Sequence, residues 1–363
     1  MTAIDDLYQL GTSTWLDDLS RERITTGNLA QVKRDKSIVG VTTNPAIFAG
    51  AMSAGNAYDE QLATLRKESS LADAAVYAMS VKDVQDACDE FRDTFERTGG
   101  KDGRVSIEVD PRYAADEEKT VAQAAELWKL VGRENAMIKI PATDESLPAI
   151  TASLAEGISV NVTLIFSVER YRQVIEAYKR GIAEAAKNGH DVSSIHSVAS
   201  FFISRMDTEV DKRLDAIGTD EALALKGKAG IANARLAYQL FLDEFSDTAM
   251  TELPAGANKQ RPLWASTGVK NPDYPADMYV VELAGPDTVN TMPEATIDAA
   301  IAGDRVGGDT LTGTAEASQA IFDQLAAAGI DVEDVVDVLE REGVEKFVDA
   351  WQELLDNMEE NLK

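Results

Sequence analysis

About eight times along this chain a short apolar or β-branched run gives way to an amphipathic helical stretch, and this alternation constrains the fold more than any other feature of the sequence. Parallel strands need a long crossover between them, and a helix supplies it. The strand candidates are Ser13–Leu16, Ile38–Thr42, Arg104–Val109, Ala136–Ile140, Ile158–Val162, Ser197–Phe202, Pro262–Ala265 and Met278–Val281. Stretches such as Asp116–Val131 and Val168–Lys187 carry apolar residues at three- and four-residue spacing and read as the intervening helices. Eight such units imply an α/β protein built as a single (β/α)8 TIM barrel; an open, doubly wound sheet is the competing architecture.

Two regions exceed the basic repeat. Ala57–Arg97 has room for two helices after the second strand, and Ala315–Leu362 is a further helical run at the C-terminus. The chain of 363 residues is within the range of one barrel domain, so residues 1–363 are read as one unit, with 315–363 as a helical extension packed on it. The glycines of DRVGGDTLTGT lack a following GK[ST] and read as a connection. The helix WQELLDNMEENL could offer its apolar face to a partner, but packing on the barrel is the simpler expectation.

Which residues share a strand face is informative about function. Side chains alternate along a strand. One face of the third strand holds Val105, Ile107 and Val109; the other holds Ser106, Glu108 and Asp110. Ile138 and Ile140 oppose Met137 and Lys139; Val160, Val162 and Leu164 oppose Ser159, Asn161 and Thr163; Ala199, Phe201 and Ile203 oppose Val198, Ser200 and Phe202. Asp17 shares parity with Trp15, and Ser266 with Trp264. In a barrel the aliphatic faces meet the surrounding helices, so Asp17, Glu108, Lys139, Asn161, Thr163, Ser200 and Ser266 are expected to point inward near the C-terminal strand ends, where barrel active sites lie. Asn44, in GVTTNPAIF, belongs at the same rim. Serine, threonine and asparagine at strand ends are also common cap and turn residues, but an inward lysine within MIKIPAT is costly unless used.

These groups suit imine chemistry. An apolar wall disfavours the charged form of a lysine, and a neutral amine can attack a ketone carbonyl. The protonated imine is an electron sink for the carbanion left when the neighbouring C–C bond breaks, so neither metal nor cofactor is required. Asp17 and Glu108, on different strands, can divide the acid and base roles. Asn44, Asn161 and Ser200 can hold sugar hydroxyls. Arg205, after the sixth strand, and Lys270 with Ser266, after the seventh, are candidates for a phosphate, although surface solvation is their ordinary use.

Composition excludes several alternatives. Hydrophobic residues make up 44% and charged residues 27%, which implies a folded globular chain. The net charge of −28 argues against nucleic acid and anionic membranes as partners, and any phosphate site must work against that field. The single cysteine, Cys88, lies in a helical pattern and permits no internal disulfide, which fits a cytoplasmic location. Neither His190 nor His196 stands at zinc-ligand spacing. MTAIDDLYQL shows no signal-peptide pattern, and no run of about eighteen apolar residues suggests a membrane span.

VTTNPAIF, VSIEVDPR, IKIPAT, VNVTLIFS, SFFISR and LWASTGVKNP occur in the order seen in transaldolases, and the resemblance runs from about Gly11 to Pro293. ASTGVKNP and GPDTVNTMP resemble the longer bacterial subfamily. The resemblance implies a cofactor-free barrel enzyme that transfers dihydroxyacetone from sedoheptulose 7-phosphate or fructose 6-phosphate to glyceraldehyde 3-phosphate or erythrose 4-phosphate, in the non-oxidative pentose phosphate pathway. It implies that Lys139 forms the Schiff base, that Glu108 works through a water held with Thr163, and that Asp17 is the acid/base for the C4 hydroxyl. Asn44 and Asn161 become hydroxyl ligands, while Ser200, Phe202 and Arg205 line the substrate and phosphate site. Many members carry an aromatic and an arginine after the serine that follows strand seven. Here Ser266 is followed by Thr267, Gly268, Val269 and Lys270, so Lys270 is the replacement cation. A class I aldolase of the fructose-6-phosphate type is the nearest alternative, and a non-catalytic sugar-phosphate-binding barrel a more distant one. A monomer or homodimer is expected.

Overall fold

The structure is a computed structural model that describes residues 2–363. Eight parallel strands close into a barrel in sequence order: β1 (Thr12–Leu16), β2 (Gly40–Val41), β3 (Arg104–Glu108), β4 (Ala136–Pro141), β5 (Val160–Ile165), β6 (Ser197–Phe202), β7 (Arg261–Ala265) and β8 (Thr288–Met292). The helices used below are α1 (Ala3–Leu10), α2 (Pro45–Ser53), α3 (Ala72–Glu90), α4 (Glu117–Val131), α5 (Leu147–Ala155), α6 (Val168–Lys187), α7 (Ser204–Ile217), α8 (Ala229–Glu244), α9 (Glu294–Gly303), α10 (Ala315–Ala327) and α11 (Val332–Leu362).

The alternation of faces sorts the core into two apolar clusters. Val105, Ile107, Ile138, Ile140, Val160, Val162, Ala199 and Phe201 pack outward with Tyr171, Val174 and Tyr178 of α6 and Tyr238 and Phe241 of α8. Trp15, Met137, Val198, Leu263 and Val289 belong to a second cluster inside the barrel, which continues upward through Phe202 to Leu339 and Phe347 of α11.

Three expectations are corrected. The eighth strand is Thr288–Met292, whereas Met278–Val281 is one helical turn. The β-branched run at Val280–Val281 is overridden by tertiary contacts, since Tyr279 is buried and donates a hydrogen bond to Asp207 Oδ2 at 2.6 Å. The true strand is rich in Thr and Asn, yet it pairs with both β1 and β7. Leu164 does not follow Val160 and Val162 outward: a register irregularity between Val162 and Ile165, with Leu164 at φ +61°, turns it into the inner cluster. Trp264 faces outward against Phe201, ring centroids 6.2 Å apart, so its parity does not explain Ser266. Ser266 reaches the mouth because its own backbone turns at φ +54°. In addition, Ala57–Arg97 holds three helices (59–67, 72–90 and 92–97), since the chain breaks at Phe91.

The barrel floor is charged. Asp102, 1% exposed, accepts hydrogen bonds from Ser13 Oγ (2.9 Å) and Trp15 Nε1 (3.1 Å), and pairs with Arg261 at 3.1 Å. Trp15 leaves no room for a side chain on β2: a Cβ at Gly40 would lie 2.8 Å from its indole ring. Removing one partner of a buried pair strands the other charge, so Asp102→Asn should cost about 3–5 kcal/mol in urea unfolding. Asp86→Asn, which breaks the pair with Lys82 on the surface of α3, should cost less than about 1 kcal/mol. Similar losses for the two would mean that the floor pair is not the strut described here.

Candidate active site

At the opposite, C-terminal end of the barrel a lysine is held among charges. Glu108 and Lys139 are cross-strand partners on β3 and β4, so both point inward at one level. Lys139 Nζ lies 3.5 Å from Glu108 Oε2 and donates to the Thr43 carbonyl at 3.0 Å. The two residues are only 5% and 6% exposed. Burial pushes the Glu108 carboxyl up to about 7, against the opposing pull of Lys139. Asp17, just beyond β1, is also raised by burial, moderated by Lys139 and by the hydrogen bond from Thr42 Oγ1 at 2.7 Å. Its neighbour Asp18 turns away to Arg23, 2.7 Å distant. Two carboxyl groups in different surroundings thus flank one amine.

Asp17, Asn44, Lys139, Ser200, Phe202, Arg205, Ser266 and Lys270 line one cavity. Asn44 caps α2 with Oδ1, accepting from Ile47 N at 2.9 Å, which leaves its amide nitrogen for the cavity. Arg205 is the second residue of α7 and is stacked 5.1 Å from the Phe202 ring centroid. Burial lowers its proton affinity, and its Nη1 is enclosed without a hydrogen-bond partner. Ser266 shares a hydrogen bond with Ser204, the first residue of α7, at 2.8 Å. Lys270 is exposed on the rim. Arginine, lysine and a helix N-terminus therefore converge on one side of the cavity, the arrangement that suits an anion.

Three expected residues stand behind the cavity wall. Asn161 is fully buried: Nδ2 donates to Ser106 Oγ at 3.1 Å, and Oδ1 accepts from Ser200 Oγ at 2.6 Å. In this arrangement it orients Ser200. Thr163, two residues further along the same strand, has its hydroxyl buried without a partner, as are both Glu108 oxygens apart from the ion pair. Sequence reasoning missed Thr42, Thr43 and Thr291, and above all Phe347 of α11. The two threonines of TTNP were within a motif already marked; Thr291 was hidden by the misplaced eighth strand. Phe347 had no local signal, since only the fold brings residue 347 over residue 139.

A larger cavity of about 570 Å³ lies between α1, the helix Asn28–Asp35 and the helix Arg92–Arg97. Its lysine, Lys33, is held by Asp93 and by the Glu90 carbonyl, so it presents no free amine. Among the described residues no group of three or more His, Cys, Asp or Glu could hold a metal ion, and no helix is long and apolar enough to cross a membrane.

The chain matches the Transaldolase/Fructose-6-phosphate aldolase family over residues 14–358. It is 58% identical over 358 residues to a transaldolase of Mycolicibacterium paratuberculosis, covering 98% of this chain and 96% of that protein. It is also 58% identical over 351 residues to the transaldolases of Mycolicibacterium smegmatis and Mycobacterium tuberculosis, covering 96% of this chain and 95% and 94% of theirs.

The raised Glu108 carboxyl has a stability consequence. In the folded chain it keeps its proton up to about pH 7, while in the unfolded chain it releases it near the ordinary glutamate value. Between those limits the folded state binds more protons, so stability falls as pH rises, by on the order of 3 kcal/mol from this group. Urea midpoints measured from pH 5 to pH 8 should fall in the wild type and flatten in Glu108→Gln. Equal slopes in both proteins would refute the assignment.

Proposed function

The chain belongs to the transaldolase/fructose-6-phosphate aldolase family, and from that premise we propose how its barrel mouth works. The reaction is the transaldolase one, transfer of a dihydroxyacetone unit between sugar phosphates. The observation that carries the mechanism is the buried Lys139 amine, backed by the Glu108 carboxyl of raised proton affinity and lining one cavity with Asp17, Arg205, Ser266 and Lys270.

Lys139 Nζ attacks C2 of the ketose phosphate, and loss of water gives the imine. Glu108, with its oxygens free of hydrogen-bond donors other than Lys139, moves protons through a water shared with Thr163. Asp17 takes the proton from the C4 hydroxyl; the C3–C4 bond breaks, its electrons pass into the iminium, and the aldose phosphate leaves. The enamine carbon then attacks the acceptor aldehyde, and Asp17 returns its proton to the new hydroxyl. Hydrolysis of the imine frees the product and the amine. Burial raises the proton affinity of both carboxyl groups, which suits them to take up protons as well as release them. Asn44 and Ser200 hold sugar hydroxyls, with Asn161 keeping Ser200 in place. Arg205, Ser266, Lys270 and the start of α7 hold the phosphate.

Incubation with fructose 6-phosphate and borohydride should leave a reduced three-carbon adduct on Lys139, located by peptide mapping. Lys139→Arg should lose nearly all activity, because a guanidinium stays protonated. An adduct on another lysine, or none while activity persists, would overturn this mechanism.

The phosphate assignment has its own test. The chain carries a net charge of −28, so dianionic sugars must be held by short-range contacts. Arg205→Ala should cost roughly 2–3 kcal/mol of binding, the upper range for a charge-assisted contact, or about a thirty- to hundredfold loss in kcat/KM. The loss should fall on phosphorylated acceptors and spare unphosphorylated glyceraldehyde, with Lys270→Ala showing the same selectivity more weakly. Equal losses on both acceptors would make Arg205 structural.

A further inference from the structure

The longest helix of the chain crosses the mouth of the barrel. α11 packs on α2, α3, α7 and β5. Its ends are tied down by Arg213–Asp334 (2.6 Å) near its start and by Arg66, whose Nε donates to the Asn361 carbonyl at 2.5 Å. Between them Leu339, Gly343, Phe347 and Trp351 recur every four residues on one buried stripe. Gly343 sets the height of the helix: a Cβ there would lie 2.9 Å from the Phe166 ring and 3.4 Å from Leu164. Without a side chain at 343 the helix settles onto β5, and one turn later Phe347 reaches the cavity. Its ring centroid is 5.7 Å from Lys139 Nζ and 5.9 Å from Arg205 Cζ. Phe347 is 7% exposed and lines the same cavity as Asp17, Ser200 and Ser266. Among the described residues it is the only aromatic ring within about 6 Å of both the amine and the guanidinium, and it comes from outside the barrel.

We propose that Phe347 is the residue that keeps solvent from the enamine carbon, and so decides whether the three-carbon unit is transferred or released. The inference rests on the imine at Lys139. After C–C cleavage the enamine has two fates. It can add to an acceptor aldehyde, forming a new C–C bond. Alternatively, a proton from solvent can bond to its carbon, which restores the imine; water then adds to C2, the C–N bond breaks, and Lys139 returns with free dihydroxyacetone. Both routes end in imine hydrolysis, so water at C2 does not distinguish them. Protonation of carbon does, and an apolar ring over the amine denies bulk water that approach. Asp17, just beyond β1, and Glu108, on β3, are carried by the barrel strands and not by α11.

The test uses Phe347→Ala and Phe347→Leu in the full chain, with fructose 6-phosphate as donor and erythrose 4-phosphate as acceptor. The ratio of dihydroxyacetone released to sedoheptulose 7-phosphate formed should rise at least about tenfold in the alanine variant and less in the leucine variant, which keeps the apolar bulk. In heavy water without acceptor, deuterium should enter the released dihydroxyacetone at the enamine carbon faster in Phe347→Ala than in the wild type. Borohydride should still trap the adduct on Lys139 in both variants. An unchanged ratio and unchanged deuterium uptake, with transfer and release slowed alike, would show that Phe347 only supports the fold. Failure to trap the wild type on Lys139 would instead sink the underlying imine mechanism. Because a folding defect lowers both products together, the ratio remains decisive even if the alanine variant is less stable.

Discussion

A closed parallel sheet has no edge, so each strand residue must face either the helices or a narrow interior. That constraint organises this molecule. From β3 to β7 the outward faces are mainly aliphatic or aromatic, and the inward faces change character with height. At the floor Asp102 and Arg261 neutralise each other. Above them Trp15, Met137, Val198, Leu263 and Val289 fill the centre. At the C-terminal rim, polar groups gather around one cavity. The apolar middle layer serves both ends, since it separates the Asp102–Arg261 pair at the floor from the Lys139–Glu108 pair at the mouth, where the proposed chemistry lies. Lys139 has a weaker hold than Arg261: a carboxyl group at 3.5 Å and one carbonyl, whereas Arg261 donates to the Asp102 carboxylate, the Lys101 carbonyl and the Ser13 hydroxyl. A loosely held amine can leave its partner to form a bond with carbon.

Much of this was legible in the sequence because the period-two pattern of a barrel strand survives in a single chain. Glu108, Lys139, Asn161 and Ser200 were placed on the inner face by alternation alone, and register then brought the first two side by side. Alternation failed where the backbone departs from a regular strand. Leu164 sits at an irregularity with positive φ, and Ser266 lies past the end of β7 in the same left-handed region. Neither carries a glycine that would flag such a turn. β8 failed for another reason: TVNTM lacks an apolar run, and its strand character comes from two neighbours already in place, whereas the apolar YVV before it found better contacts as a helical turn.

The site was less legible than the barrel because part of it is tertiary. Asn161 carries an amide that could bind a sugar, yet both its ends are engaged by Ser106 and Ser200. Only the fold reveals that it stands one step behind the cavity. Phe347 is the converse case. In sequence it is one member of a helical stripe that any packed helix would show, between Gly343 and Trp351. Its role follows from the height at which Gly343 lets the helix rest, and that depends on Phe166 and Leu164, far away in sequence. The irregularity that turns Leu164 inward is therefore part of the site's construction, because it builds the shelf that supports the helix over the lysine.

The net charge of −28 sharpens the meaning of the cations at the rim. With 63 acidic residues against 35 lysines and arginines, most cations find a carboxylate, and half-buried Arg21, Arg23 and Arg170 each do so. Arg205 does not: its nearest company is two aromatic rings, and one of its nitrogens is enclosed without a partner. Burial weakens the hydration of a guanidinium so placed, and Glu342 offsets this only by electrostatic attraction, with no ion pair to Arg205 among the described residues. The same absence prevents competition. A carboxylate within reach of Arg205 would have to be displaced by every incoming phosphate, whereas rings hold the guanidinium in position without occupying its donors. In the phosphate role proposed for Arg205, the dianion would supply the partner that the protein does not, and the surrounding negative field would confine that attraction to short range.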